Sequence, residues 1–263
     1  MELNYKQYSD DGRPLLILHG LFGNLKNWNW HARELGKEFS VYALDLRNHG
    51  ESPHSPTMDY EAMAADVLEF IETRKFAEVN VLGHSMGGKV AMQLALANPE
   101  RVSRLLAADI APVAYSEERG DHENVFSGLL SIDLASVQSR SDAESALASH
   151  IDEPAVRQFL VSNLVRDEQG AYRWRFNLPV LHENYERLRE GVGEVSVFDK
   201  PVLFIKGAGS NYIKEEDWPA IQRLFPRARV KTVMGAGHWV HAEKPQVFYK
   251  LVRDFLIYEE GEP

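Results

Sequence analysis

The chain has 263 residues, of which 44% are hydrophobic, so it can bury a substantial core. Acidic side chains outnumber basic ones by 39 to 29, and the net charge of −10 argues against a nucleic acid or an anionic membrane as the main partner. Cysteine is absent, which excludes disulfide bonds, a thiol nucleophile and a cysteine-ligated metal. Neither a signal-peptide pattern nor a long apolar run is present, so we expect a cytoplasmic protein without a membrane span.

Strand-like and helix-like segments alternate along most of the chain. Short apolar or β-branched runs predict strands, and longer amphipathic segments predict helices. The predicted strands cover residues 3–9, 14–19, 40–45, 79–83, 102–109, 201–206 and 229–233, and the predicted helices cover 27–37, 60–74, 86–98, 218–225 and 245–258. Asp59 is a candidate N-cap of the second helix. This alternation predicts the α/β class, with a mostly parallel sheet and helices on both faces.

Residues 113–197 interrupt this alternation. The segment is richly charged and shows no clear buried strand, and its patterns predict helices at 142–150, 153–164 and 182–189. It is inserted between two strands, at the carboxyl edge of the sheet, where ligands bind in open α/β sheets. We therefore expect a core domain made of residues 1–112 and 198–263, with a helical cap over its binding site made of residues 113–197.

Gly83-x-Ser85-x-Gly87 stands between a β-branched strand and a helix. In this context the pattern is typical of a nucleophile elbow, in which a serine hydroxyl stands clear of the sheet on a tight turn. The pattern alone also arises by chance, and the alternative is a glycine-rich turn with a structural serine. The strand before it and the helix after it favour the elbow, with Ser85 as the nucleophile.

A serine nucleophile needs a base, and the base needs an orienting acid. His238 follows the last predicted strand in a glycine-flanked loop and is the favoured base, with His241 as the alternative. The usual acid position, the loop at 207–211, contains no carboxylate. Asp109 ends the strand that follows Ser85 in the chain, so we favour it as the acid. The alternatives are the three carboxylates Glu215, Glu216 and Asp217.

The oxyanion of an acyl-transfer reaction requires two backbone N–H donors. Met86, directly after the nucleophile, is predicted to supply one, and Leu21 or Phe22 the other. The His238-x-x-His241 spacing lacks a third metal ligand, and no dinucleotide-binding glycine motif follows the first strand. We therefore expect no metal and no cofactor.

Six segments together resemble the bacterial YbfF-type esterase group. They are HGLFG at 19–23, DLRNHGES at 45–52, GHSMGGK at 83–89, DIAPV at 109–113, WRFN at 174–177 and GAGHWVHAEKP at 235–245. The resemblance implies an α/β-hydrolase fold with a cap. It also implies the activity of a serine carboxylesterase that cleaves small acyl esters, with acyl-CoA thioesters as a further substrate class. It also implies an acid after the earlier strand, in agreement with Asp109. Ala114 stands where the group tends to have another acid, so no role is carried over to that position.

Three further residues are candidates for contact with a small-molecule ester or thioester. Trp239 follows the base and could wall the substrate pocket, although a packed core tryptophan is an equal alternative. Trp174 belongs to the cap segment that resembles the esterase group. Arg119, with other cap arginines, could meet an anionic substrate end such as a CoA phosphate, whereas solvated surface arginines are the simpler interpretation. The sequence gives no signal for an oligomeric state.

Two other functions fit the same residues. A cofactor-free perhydrolase or a C–C bond hydrolase would use the same triad on the same fold. A non-catalytic binding module is the remaining alternative, and the complete set of triad residue types argues against it.

Overall fold

The computed structural model describes residues 1–116, 122–193 and 196–258. Seven of the strands in these ranges form one sheet in the order β1-β3-β2-β4-β5-β8-β9, and only β1 runs antiparallel to its neighbour. The strands are β1 Tyr5–Gln7, β2 Arg13–Leu18, β3 Phe39–Leu44, β4 Val79–His84, β5 Val102–Ala108, β6 Leu164–Arg166, β7 Tyr172–Trp174, β8 Val202–Gly207 and β9 Ala228–Val233. The mostly parallel sheet that the alternation predicts is therefore present.

Helices cover both faces of this sheet. They are α1 Asn29–Leu35, α2 Tyr60–Thr73, α3 Met86–Ala97, α4 Glu123–Ser131, α5 Arg140–Leu147, α6 Pro154–Val161, α7 Leu178–Glu183, α8 Tyr185–Arg189, α9 Trp218–Leu224, α10 Val240–Glu243 and α11 Pro245–Ile257. The buried side chains of α2 and α3 belong to one hydrophobic cluster, and those of α1 and α11 belong to a second cluster on the other face. The central strands β3 and β4 are buried along their full length, as expected for a doubly covered sheet.

Local sequence signals explain how the helices begin and which face they bury. The Asp59 side chain accepts a hydrogen bond from the Ala62 N–H, so the predicted N-cap of α2 is confirmed. In α11, Phe248, Val252 and Leu256 recur every fourth residue and are all buried. This spacing places them on one helical face, which packs on the sheet.

The chain between β5 and β8 forms helices α4 to α8 and a two-stranded hairpin of β6 and β7. The sequence shows no clear buried strand in this segment, and each strand of this hairpin has one buried residue out of three. Each hairpin strand has only three residues, too few for a periodic pattern, and the Asp167 side chain organises the turn by accepting the Gln169 and Ala171 N–H groups. The helix predicted at 182–189 is two short helices that meet at Asn184. The division into core and cap domains remains a proposal.

Buried amides join this inserted segment to the loops at the carboxyl edge of the sheet. Asn163 donates to the Phe22 carbonyl at 2.8 Å and accepts from the Asn24 side chain at 2.7 Å. The Asn177 N–H donates to the Asn48 carbonyl at 2.8 Å. The segment is therefore fixed above the strand ends rather than resting there through apolar contact alone. Across the described ranges, no helix has the length and apolar composition needed to cross a bilayer.

Candidate active site

Ser85 occupies a strained turn between β4 and α3. Its φ of 50° lies in the left-handed region, which a residue with a side chain rarely adopts. Two glycines make the turn possible. A Cβ at Gly83 would lie 2.1 Å from the Gly87 carbonyl oxygen, and a Cβ at Gly87 would lie 2.5 Å from the His19 carbonyl oxygen. The chain therefore passes too closely to itself here for any larger residue, as the elbow interpretation requires.

Three side chains form a continuous hydrogen-bonded chain at the carboxyl edge of the sheet. Nε2 of His238 lies 3.1 Å from Oγ of Ser85, and Nδ1 of His238 lies 2.8 Å from Oδ2 of Asp109. Asp109 is fully buried, whereas the His238 side chain is 21% exposed. The structure thus brings together the serine, histidine and aspartate that the sequence analysis singled out.

The loop after β8 holds Asp109 in place instead of supplying the acid. The Gly207 N–H donates to Oδ1 of Asp109 at 2.9 Å, and the Ser210 hydroxyl forms a short hydrogen bond with Oδ2. With His238, the carboxylate therefore has three partners, which satisfies a charge that would be costly to bury alone. Asp109 itself has a φ of 52°, a left-handed backbone conformation that residues with a side chain rarely adopt.

The alternative acids and the alternative base take no part in this hydrogen-bonded chain. Glu215, Glu216 and Asp217 form a short 3-10 turn, in which Asp217 accepts the Lys214 N–H at 2.8 Å. His241 is buried and stacked on Trp28, with ring centroids 4.4 Å apart. Burial, reinforced by the neighbouring His31, lowers the pKa of His241 to about 3. This histidine is therefore neutral at ordinary pH and packs in the wall of the site.

Two aromatic side chains hold His238, one at its ring and the other at its backbone carbonyl. The Tyr212 ring is stacked on it, with centroids 3.9 Å apart and an interplanar angle of 21°. His84, the residue before the nucleophile, lies with its Nε2 2.9 Å from the His238 carbonyl oxygen. Since a carbonyl only accepts, this nitrogen carries the proton. Burial lowers the pKa of His84 well below its ordinary value, and the rings of His241 and His238 act in the same direction.

The predicted oxyanion donors Leu21, Phe22 and Met86 line cavities that Ser85 also lines, but one of their N–H groups is already used. The Phe22 N–H donates to Nε2 of His49 at 3.1 Å in a buried hydrogen bond. Across the described ranges, the N–H groups of Leu21 and Met86 donate to no acceptor of the protein. Between the two residues predicted for the first loop, the geometry therefore favours Leu21 over Phe22.

Two neutral histidines hold the Leu21–Phe22 loop. Nδ1 of His49 donates to the Arg47 carbonyl at 3.0 Å, which leaves its Nε2 as an acceptor for Phe22. Nδ1 of His19 contacts the Gly20 carbonyl at 2.8 Å, and its Nε2 accepts the Leu46 N–H at 3.0 Å. Burial, reinforced by the adjacent His19 ring, lowers the pKa of His49 to about 3. Both rings can therefore accept a backbone N–H throughout the neutral range.

Two small cavities meet at Ser85. One, of about 60 Å³, is lined by aromatic and aliphatic side chains that include Phe159 and Trp239. The other, of about 40 Å³, is lined by tyrosines, by the aliphatic side chain of Ile110 and by the buried Lys89. Trp239 therefore lies where a pocket wall was predicted.

The other two residues predicted to contact substrate are Trp174 and Arg119. Trp174 is buried in the inserted segment and stacked on Phe176, with ring centroids 5.4 Å apart and an interplanar angle of 7°. Phe176 in turn contacts Phe22, so Trp174 lies a layer behind the cavity and lines neither of the two cavities at Ser85. This corrects the prediction for Trp174. Arg119 lies outside the described residues.

Sequence reasoning missed Ser210, Tyr212, His49 and His84. Ser210 lies in the loop at 207–211, which contains no carboxylate, and Tyr212 follows it directly. A hydroxyl in that loop could have indicated a hydrogen-bond partner for a carboxylate on another strand. His49 belongs to the segment at 45–52, which carried no assigned role beyond the resemblance. In the described part of the chain, no cluster of three or more His, Cys, Asp or Glu side chains could hold a metal ion.

Comparison with known proteins adds to this geometry. Residues 13–245 match the α/β hydrolase fold family. Esterase YbfF of Escherichia coli (strain K12) is 37% identical over 260 residues, which cover 97% of this chain and 99% of that protein. The sn-1-specific diacylglycerol lipase ABHD11 of Xenopus tropicalis is 39% identical over 264 residues, which cover 97% of this chain and 82% of that protein. A solved marine microorganism esterase is 41% identical, with a TM-score of 0.95 over 97% of this chain and 99% of that chain.

The chain therefore belongs to the α/β hydrolase fold family. Within this family it is an enzyme of the esterase and lipase type, and the resemblance stated from its motifs is confirmed.

Proposed function

We propose that this protein is a serine carboxylesterase that hydrolyses small acyl esters through an acyl-serine intermediate. The hydrogen-bonded chain from Ser85 through His238 to Asp109 is the observation that carries the proposal. The position of each side chain in this hydrogen-bonded chain indicates its role. Ser85 is the nucleophile, His238 is the general base and acid, and Asp109 orients the imidazole.

The reaction proceeds in two halves. Oγ of Ser85 attacks the ester carbonyl carbon while Nε2 of His238 takes the hydroxyl proton. The carbonyl oxygen becomes an oxyanion and accepts hydrogen bonds from the Leu21 and Met86 N–H groups. His238 then gives its proton to the leaving alcohol as the C–O bond breaks, and an acyl group remains on Ser85. In the second half, His238 takes a proton from water, which attacks the acyl carbon, and the carboxylic acid leaves as Ser85 regains its proton.

The two cavities support a substrate with a short acyl part. Because they meet at Ser85 and hold only about 60 and 40 Å³, they offer separate but small spaces for the two halves of an ester. A thioester carbonyl would be attacked in the same way, so acyl-CoA thioesters are included as a further substrate class. The names of the relatives, two esterases and a diacylglycerol lipase, support ester hydrolysis.

Fluorophosphonate labelling and a substrate panel test this proposal. Wild-type protein should be labelled at Ser85, and Ser85→Ala should lose both the label and the turnover. Ser103→Ala is a matched control, because Ser103 lies near the start of β5 and bonds to Glu78 at the opposite edge of the sheet. The panel contains p-nitrophenyl esters and acyl-CoAs from C2 to C16, and we expect the C2 to C6 esters to be the best substrates.

Two results would contradict the proposal. Labelling that persists in Ser85→Ala would exclude Ser85 as the nucleophile. Failure to hydrolyse any ester, together with halogenation in the presence of peroxide and bromide, would instead establish a perhydrolase.

A further inference from the structure

Tyr212 has the closest ring contact with the base of the proposed triad. Its ring covers one face of the His238 imidazole at 3.9 Å, nearly parallel to it. The backbone of Tyr212 is held from two sides. Its N–H donates to the Ser210 hydroxyl at 3.2 Å, and its carbonyl accepts the Tyr115 hydroxyl at 2.7 Å. The stacked position is therefore built into the loop.

We propose that the aromatic face of Tyr212 stabilises the protonated ring of His238 during the reaction. The inference rests on the proposed function, in which His238 carries a positive charge between the attack of Ser85 and the departure of the alcohol. An aromatic face attracts a cation that lies over it, through the negative potential of its π electrons. The stabilisation therefore acts in the charged state of His238 and is largely absent in the neutral state.

Among the groups described around His238, Tyr212 is the one whose aromatic face covers the imidazole ring. The Asp109 carboxylate lies at Nδ1 and Ser85 at Nε2, so both bind at the edge of the ring. The His84 ring, 4.8 Å away by centroid, is neutral, and His241 behind it is neutral as well. Trp239 is tilted, and its ring centroid is 6.4 Å away.

The phenol stays neutral over the working pH range. Burial, with the nearby Asp109 carboxylate, raises the pKa of Tyr212 to about 12. Tyr212 therefore acts through its ring face rather than as a proton donor or as a phenolate. Two substitutions of Tyr212 therefore differ in their expected effect. Tyr212→Phe retains the face, whereas Tyr212→Leu removes it.

Loss of the ring face makes protonation of His238 less favourable, so a more acidic solution is needed to protonate it. In Tyr212→Leu the acid-side midpoint of the kcat/KM profile should move down by about 0.5 to 1 pH unit, and kcat should fall about 2- to 30-fold. Tyr212→Phe should keep the wild-type midpoint and stay within about twofold of the wild-type kcat.

The decisive measurement does not depend on turnover. The His238 ring is titrated by NMR in three proteins, which carry Ser85→Ala alone, Ser85→Ala with Tyr212→Phe, and Ser85→Ala with Tyr212→Leu. We expect the lower midpoint with Tyr212→Leu alone. Tyr172→Leu, which removes a tyrosine from the hairpin, is the matched control and should leave the midpoint unchanged. If Tyr212→Leu does not fold, Tyr212→Met replaces it.

An unchanged midpoint in the folded Tyr212→Leu or Tyr212→Met protein would overturn the inference, as would an equal shift in Tyr212→Phe. Because Ser85→Ala cannot form an acyl-enzyme, this titration stands apart from the labelling test of the esterase proposal. Failure of the one can thus be distinguished from failure of the other.

Discussion

Sheet register places Ser85 and Asp109 next to each other. His84 and Ala108 are paired in the parallel ladder of β4 and β5. Ser85 follows directly after His84, and Asp109 follows directly after Ala108. The Ser85 N–H also donates to the Ala108 carbonyl at 3.0 Å. Adjacent parallel strands end at the same edge, so an acid at the end of β5 can reach a histidine that also contacts Ser85.

Replacing Asp109 by Asn tests the acid. The amide keeps the shape but favours the wrong tautomer of His238 and cannot stabilise its positive charge, so we expect kcat to fall about 10⁴-fold. Steady-state hydrolysis of a p-nitrophenyl ester measures the effect. Asp217→Asn is the matched control, because Asp217 caps its own turn, and it should retain wild-type turnover. Near-normal activity of Asp109→Asn with a large loss in Asp217→Asn would return the acid to the 215–217 turn.

At the scale of elements, two loops cooperate to prepare one N–H group. The loop after β2 carries Leu21 and Phe22, and the loop after β3 carries His49. Phe22 has a φ of 60°, and its N–H is held by the His49 ring. We infer that this hydrogen bond maintains the strained residue and so keeps the Leu21 N–H directed at the site.

Substitutions of His49 test this coupling. His49→Leu removes the acceptor of the Phe22 N–H, so kcat should fall about 10²-fold, as for the loss of one oxyanion donor, with a much smaller change in KM. His49→Gln offers an amide oxygen at similar reach and should recover much of that loss. Inhibition by a boronic acid that mimics the tetrahedral intermediate should weaken in parallel with kcat.

A stability control separates this effect from general destabilisation. Val67 is fully buried in α2, away from the site, so Val67→Ala should lower the melting temperature without lowering kcat. Equal activity of His49→Leu and wild type, or equal losses in the Leu and Gln variants, would contradict the role given to His49.

At the scale of the whole molecule, several buried histidines make the fold sensitive to acid. Burial lowers the pKa of His31 to about 4 and, with reinforcement from neighbouring histidines, the pKa values of His49 and His241 to about 3. The unfolded chain takes up these protons near pH 6.5, whereas the folded protein does not. The stabilising difference is thus fully present above pH 6.5 and is lost as the pH falls below it.

Urea unfolding at several pH values measures this loss. Each of the three histidines should reduce the free energy of unfolding by about 1.4 kcal/mol per pH unit below 6.5, or about 4 kcal/mol together at pH 5.5. His31→Leu should reduce that slope by the contribution of one histidine, about 1.4 kcal/mol per pH unit. A free energy of unfolding that stays constant from pH 7.5 to 5.5 would show that these histidines are not held neutral by the fold.

Features of the fold and the site could be predicted from the sequence where their signal was local. The elbow, the strands of the seven-stranded sheet and the N-cap Asp59 were predictable because each depends on a few consecutive residues. Asp109 was predictable by elimination, since the usual loop lacks a carboxylate. The hydrogen bond from Phe22 to His49 joins residues 27 apart in two loops, and the stacking of Tyr212 on His238 depends on how β8 and β9 end. Neither leaves a pattern in the sequence before the fold brings the residues together.

The left-handed backbone at Ser85 also creates a conflict between activity and thermal stability. Glycine adopts that conformation freely, so Ser85→Gly should fold more stably than wild type by about 1 kcal/mol while losing turnover. A laboratory selection for heat resistance alone would then enrich inactive variants at this position. Selecting for residual hydrolysis after heating would keep the serine and direct improvement to positions remote from the elbow.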